Sequence, residues 1–245
     1  MKNLLKYLFL YFPAILNAQE VTFQYEFGYG SYQLEDIRAI QNRVGIAYSQ
    51  STESFPNHYI QSVAIGYITG QHHFGASGGF LTTGGRVHVA DYSGEYKTDM
   101  VLTGVRVGVF YRYYFPKNTQ WWNMYIQAAP GYLSSRIKMH ETLVIGTRKI
   151  VDERLSFKSS GAYFEPSIGV RLKPLHWLHL SLGCGYEIDA WGKMKLLSTR
   201  NNMQYRGDDK IRWNGFRLYA GLILTVPSQF FKESDVKTVP SSIQW

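Results

Sequence analysis

The sequence predicts an all-β fold: an eight-stranded antiparallel up-and-down transmembrane β-barrel with short periplasmic turns, long extracellular loops and a short helix in the first loop. Three observations carry that expectation. Eight segments alternate apolar and polar residues with a period of two. Three very short turns alternate with four long links between those segments. The N-terminus has the layout of a secretion signal.

Lys2 and Lys6 accompany an apolar run through Leu8, Phe9, Leu10, Tyr11, Phe12 and Ile15, and Leu16-Asn17-Ala18 puts a small residue at a cleavage point before Gln19. Residues 1–18 therefore read as a signal peptide, 19–227 as the barrel and 228–245 as a polar periplasmic tail. The apolar core of the signal is too short to span a bilayer comfortably, and it contains Pro13. No Cys follows the cleavage point, which argues against a lipid anchor.

The strands read as follows. Val21, Phe23, Tyr25, Phe27 and Tyr29 oppose Thr22, Gln24, Glu26, Gly28 and Gly30. Val63, Ile65 and Tyr67 oppose Ser62, Ala64 and Gly66, and Phe74, Ala76 and Phe80 oppose Gly75, Ser77 and Gly79. The fourth segment sets Val105, Val107, Val109, Tyr111 and Tyr113 against Gly104, Arg106, Gly108 and Arg112. The fifth sets Trp122, Met124, Ile126 and Tyr132 against Tyr125, Gln127 and Gly131. Phe164, Pro166, Ile168 and Val170 then face away from Tyr163, Glu165, Ser167 and Arg171. Leu178, Leu180, Leu182, Cys184 and Ile188 face away from His179, Ser181, Gly185, Glu187 and Asp189. The last segment opposes Phe216, Leu218, Leu222 and Leu224 to Gly215, Arg217, Tyr219 and Gly221. Successive strand residues point to opposite faces, so each series is a surface.

A soluble barrel would turn a face crowded with Lys, Glu, Ser and Thr to water. The polar series here is rich in Gly, with scattered charges among which are Glu26, Glu165, Glu187, Asp189, Arg106, Arg112, Arg171 and Arg217. Four acids against four arginines suit an enclosed network, because the guanidinium fork pairs carboxylates bidentately. The apolar series is therefore assigned to lipid and those eight residues to the lumen. A soluble lipid-binding barrel with an apolar interior is the competing fold.

The short turns fall at residues 69–73, 116–120 and 173–176, and the long links at 31–59, 83–99, 134–157 and 191–212. With both termini periplasmic, every long link is extracellular. Phe115, Trp121, Trp122 and Trp177 near the turns, with Tyr132, Trp191 and Trp213 near the loops, read as interfacial girdles. In the first loop Leu34 to Gln41 carries acids before Arg38 and spaces Ile37 and Ile40 helically. That helix is a cap over the lumen, a contact surface, or plain loop packing. The third loop is dense in charge (Lys138, Glu141, Arg148, Lys149, Asp152, Glu153, Arg154, Lys158): a solvated loop, a lipopolysaccharide contact or a charged hairpin.

Composition excludes several classes. The formal charge of +8 falls by the two units of Lys2 and Lys6, and no Lys/Arg-rich run marks a nucleic-acid site. Attraction to anionic headgroups or sugar phosphates is the better reading of the basic balance. The single Cys184 permits no internal disulfide and no Cys-based zinc site. His72-His73 is a poor chelate, because neighbouring strand residues point oppositely, and it reads as a pair of turn residues. No cofactor is expected.

The signal end Asn17-Ala18-Gln19, the opening Phe27-Gly28-Tyr29-Gly30, the helical Leu34 to Gln41 and the Gly/aromatic alternation together resemble the small eight-stranded outer-membrane barrels of the OmpA/OmpX type. The chain is most similar to the outer membrane beta-barrel protein families of Bacteroidetes. The resemblance implies a bacterial outer-membrane location, contact with outer-membrane lipid and lipopolysaccharide, insertion by the barrel assembly machinery, and no defined activity. One departure is that the last strand ends near Val226-Pro227 and a tail follows to Trp245, where many such barrels finish on an aromatic residue.

Two functional classes follow. An eight-stranded barrel is just wide enough for its own side chains, which favours a non-catalytic protein with a structural or surface-binding role, its long loops open to a surface ligand, over a narrow channel. The second class is an enzyme. His179-Leu180-Ser181 resembles the His-x-Ser pair of outer-membrane lipid A deacylases, with Glu187 as an orienting acid. The register, however, turns both residues into the lumen, away from a lipid substrate.

Overall fold

The computed structural model describes residues 20–44, 50–56, 58–116, 121–190, 194–198 and 211–227. The expected signal peptide, the C-terminal tail and Trp191 lie outside the described residues. The strands in chain order are β1 (Glu20–Gly30), β2 (Gln50–Ser54), β3 (His58–Thr69), β4 (His72–Ala90), β5 (Gly94–Tyr114), β6 (Trp122–Ile145), β7 (Arg148–Leu172), β8 (Leu178–Ala190), β9 (Lys195–Ser198) and β10 (Gly215–Pro227). One helix, α1 (Glu35–Val44), follows β1.

Eight of these strands close into an antiparallel ring in the order β4, β3, β1, β10, β8, β7, β6, β5, back to β4. First and last strands seal it: Glu20 pairs Pro227 and Gly30 pairs Arg217 without a register break. Closure leaves no edge in the ring, which satisfies every strand's backbone without water. The two remaining strands are accessory: β2 pairs the far half of β4, and β9 pairs the far half of β7.

Alternation sets the two faces. Val63, Val109, Ile168, Leu218 and Leu222 stand exposed on the outside, while Thr22, Arg112, Glu165, Ser181 and Arg217 are buried inside. The register expected for all eight segments holds. An apolar outer wall around a charged interior inverts the arrangement of a soluble barrel and matches a membrane-spanning one. Among the described residues no helix is long and apolar enough to cross a membrane.

Two expectations need correction. Residues 83–99 are strand rather than loop, since β4 runs to Ala90 and β5 from Gly94, and of the readings of 134–157 the charged hairpin holds, since β6 runs to Ile145 and β7 from Arg148. With 24 and 25 residues, β6 and β7 far exceed the roughly 9–11 that cross a bilayer. Their distal halves form a hairpin standing clear of the membrane. Its turn puts Gly146 first with φ of 60°, the conformation that opens a type II′ hairpin. The sequence signal was diluted because alternation above the bilayer swaps greasy outer residues for charged ones.

Secondly, His72 and His73 begin β4 rather than fill a turn. The connection is only Gly70-Gln71, where Gly70 has φ of 60°. The two imidazoles do point oppositely: His73 is buried in the lumen and His72 meets Tyr111 Oη outside at 2.9 Å.

Candidate functional site

The lumen is the site, and it is filled in layers from the short-turn end to the long-loop end. In the first layer His73 Nε2 meets Thr22 Oγ1 at 2.8 Å and its Nδ1 meets Tyr114 Oη at 3.3 Å. Arg171 sits over Tyr114, its Cζ 3.7 Å from the ring centroid. His179 Nδ1 contacts Thr225 Oγ1 at 3.2 Å.

Arg112 organises the second layer. It donates to Gln127 Oε1 at 2.8 Å, Gln24 Oε1 at 3.3 Å and Glu26 Oε1 at 3.5 Å, and sits 4.3 Å over Tyr125. Gln24 also donates to Glu26.

The third layer is an alternating quartet. Arg106 Nη1 pairs with Glu165 Oε2 and, at 3.1 Å, with Glu187 Oε2. Arg217 reaches Glu165 Oε2 at 3.3 Å and also pairs with Glu187. Ser62 Oγ accepts from Arg106 Nη2 at 3.2 Å. Arg106 stands on β5 and Arg217 on β10, four places apart in the eight-strand ring and therefore diametrically opposed. Their carboxylate partners come from β7 and β8, so the ion pairs bridge the full width of the cylinder. Charges so enclosed need partners, because each one alone carries a desolvation cost of several kcal/mol.

Above the quartet the lumen turns apolar. Tyr32, Leu34, Ile37, Phe55, Met194, Ile211 and Trp213 fold down from the long-loop segments onto Ile60, Leu81, Leu102, Leu133 and Ile137 of the wall. Trp213 is fully buried, donates Nε1–H to Ser135 Oγ at 2.7 Å and meets Tyr32 edge-on at 4.8 Å. It is a plug residue, not the interfacial aromatic expected. Helix α1 supplies Ile37 to the plug, and Gln41 Nε2 anchors it to Arg86 O at 3.2 Å. Leu34 and Phe55 adopt left-handed backbone, φ 41° and 43°, and both side chains are buried in the plug. That conformation costs about 1–2 kcal/mol per residue, which the plug's packing offsets.

The eight expected lumen residues thus divide. Arg106, Glu165, Glu187 and Arg217 form the quartet, and Glu26 with Arg112 the layer below it. Asp189 joins neither: its Oδ2 accepts Trp213 N–H at 3.4 Å, and its own N–H donates to Asn214 Oδ1 at 2.7 Å, so it holds the plug. Arg171 has no carboxylate in a salt bridge among the described residues; the face of Tyr114 holds it.

The sequence shows an inner series rich in Gly, as a crowded lumen requires, but not which ring each glycine admits. Tyr125 lies directly across from Gly169, Tyr163 from Gly131, Tyr219 from Gly183 and Phe110 from Gly75. A Cβ on any of these glycines would come within 2.5 Å of the facing ring. An eight-stranded lumen has room for an inward ring only where the next strand contributes no side chain. The signal was present as inward aromatics opposite glycines, but it needs the register to be legible.

A cavity of about 10 Å³ touches Glu26, Ser62, Arg106, Glu165, Arg217 and Tyr219, room for roughly one water. Among the described residues no group of His, Cys, Asp and Glu could hold a metal ion. His179 and Ser181 share the inward face, but the hydrogen bond of His179 Nδ1 goes to Thr225, and Ser181 Oγ has no hydrogen-bond partner among the described residues.

No protein-family model matches the chain, and no curated protein matches it in sequence. Solved structures do match in outline. The outer membrane protein OprG from Pseudomonas aeruginosa is 9% identical with a TM-score of 0.46, over 86% of this chain and 97% of that one. Neisserial surface protein A is 10% identical with a TM-score of 0.36, over 84% and 97%. The outer membrane protease OmpT from Escherichia coli is 12% identical with a TM-score of 0.40, over 84% and 95%. The barrel assignment rests on this chain's own closed register and two-faced wall.

Proposed function

We propose that this chain is an integral β-barrel of a bacterial outer membrane with a non-catalytic, structural or surface-binding role. The observation that carries it is the obstructed lumen. The Arg106–Glu165–Arg217–Glu187 quartet spans the diameter, and the Trp213 plug closes the long-loop end above it. A solute path through the cylinder would need both to open.

Contact with the surroundings then falls to the outer wall and to the projecting β4–β5 and β6–β7 hairpins. Short turns face the periplasm and the hairpins face outside, following the usual asymmetry of such barrels. The enzyme reading on His179 and Ser181 draws no support from their setting. Both are enclosed, on the side of the wall away from lipid, and Thr225 meets the Nδ1 of the imidazole.

Three measurements test the proposal. Membrane fractions run with and without boiling are expected to give a heat-modifiable band. Planar bilayers containing the purified protein are expected to show no steady conductance. Lipid A incubated with the protein is expected to keep all its acyl chains by mass. A steady open channel or loss of an acyl chain overturns the non-catalytic, closed reading.

A further inference from the structure

The outer wall carries a second feature, above its apolar belt. In the register of β5, β6, β7 and β9, Thr103 pairs Arg136, Arg136 pairs Lys158, and Lys158 pairs Lys195. Three cations therefore stand abreast on three adjacent strands, all on the outer face and all exposed. Lys138 and Arg154 lie one and two rows higher on the same face. Like charges directly opposite one another across strands destabilise a sheet unless an anion bridges them.

The wall's own acids do not supply that anion. Asp99 is taken by Arg86 at 2.6 Å and Lys97 at 3.0 Å. Asp152 is taken by Lys149 at 2.6 Å and His140 at 2.8 Å, and Glu95 lies 3.1 Å from His88. Glu141 and Glu153 are in the opposite register, on the inner face of the hairpin. Among the described residues, no carboxylate forms a salt bridge with Arg136, Lys138, Arg154, Lys158 or Lys195.

Height identifies the occupant. Val107 and Tyr132 pair in the belt, Val105 and Ser134 one row up, and Thr103 and Arg136 the row after. Tyr132 and Val105 are exposed on the outer wall. Arg136 lies four positions beyond Tyr132, roughly 10 Å of height for a strand rising about 3.4 Å per residue at a tilt near 40°. Lys and Arg stems can reach back toward the boundary and hold their charges at headgroup level.

Resting on the outer-membrane reading above, we infer that Arg136, Lys158 and Lys195, flanked by Lys138 and Arg154, dock the phosphates of a glycolipid headgroup in the outer leaflet. A soluble polyanion would have to descend to the membrane surface to meet this row. A lipid phosphate is already there, and its acyl chains lie along the exposed Val105, Tyr132 and Phe164.

Native mass spectrometry of the full chain in detergent tests this, with diphosphorylated lipid A as the probe. The wild type is expected to retain lipid A, and R136Q/K158Q/K195Q to bind it about a hundredfold more weakly, given what each cation near an anionic surface contributes. K149Q, at the hairpin tip, is expected to match the wild type. Unchanged retention in the triple variant overturns the inference. So does equal retention of dephosphorylated lipid A, which would mean acyl packing alone, or displacement by millimolar inorganic phosphate, which would mean a soluble-anion site. A heat-modifiable band from the triple variant supports reading its weaker binding as loss of the site. If the wild type itself lacks that band, the barrel reading falls first and the inference with it.

Discussion

Gly79 lies beneath the guanidinium of Arg106: a Cβ there would sit 2.8 Å from Arg106 Nε and 2.9 Å from Ser62 Oγ. One missing side chain on β4 thus lets the β5 arginine cross the lumen to Glu165 and Glu187. Gly79→Ala is expected to cost about 1–3 kcal/mol, the usual range for overpacking. Denaturant unfolding in lipid vesicles reads this directly. An unchanged midpoint would show that Arg106 has other room.

Removing one partner of the quartet leaves the others charged and buried. Arg217→Met is expected to destabilise by about 3–5 kcal/mol. Arg217→Met combined with Glu187→Gln is expected to recover part of that loss, because the second change removes an orphaned charge. Losses that simply add across the two variants would argue that the quartet is not one unit.

Trp213→Ala empties the centre of the plug. A loss of about 3–5 kcal/mol is expected for a buried Trp. Hydrogen exchange should localise it to the 31–44 segment and the distal wall. Conductance should stay closed, since the quartet below is untouched. Steady current from this variant would place the seal in the plug instead.

The projecting hairpin offers a pH test outside the membrane. Asp152 has its carboxyl held down to about 2 from an ordinary 3.8, chiefly by the hydrogen bond from Lys149 and then by that from His140. A depressed folded-state value means the interaction is fully present above about pH 4 and lost as pH falls toward 2. Amide exchange at the hairpin tip should therefore be flat down to about pH 4, after correction for intrinsic rates. It should rise below that, and Asp152→Asn should abolish the rise.

How much of this was readable beforehand differs element by element. The inward parity of Glu165, Glu187, Arg106 and Arg217 was legible because a strand's period of two needs no partner to be seen. Their joining into one quartet was not, since four residues from β5, β7, β8 and β10 meet only once the ring closes. Asp189 and Arg171 share that parity yet lie at other heights, and height along a barrel depends on stagger between strands. Trp213 looked like a girdle residue because composition cannot tell a loop that leaves the barrel from one that folds back into it.

Local chemistry alone thus sufficed for the eight strands of the ring and their two faces, but not for how far those strands run or for the accessory β2 and β9. A strand and its faces depend on neighbours a few residues apart. Which charges touch, which glycine faces which ring, how far the hairpins project and what stoppers the cylinder depend on register and closure. Those bring together residues as distant as Arg106 and Arg217, and no local pattern records that meeting.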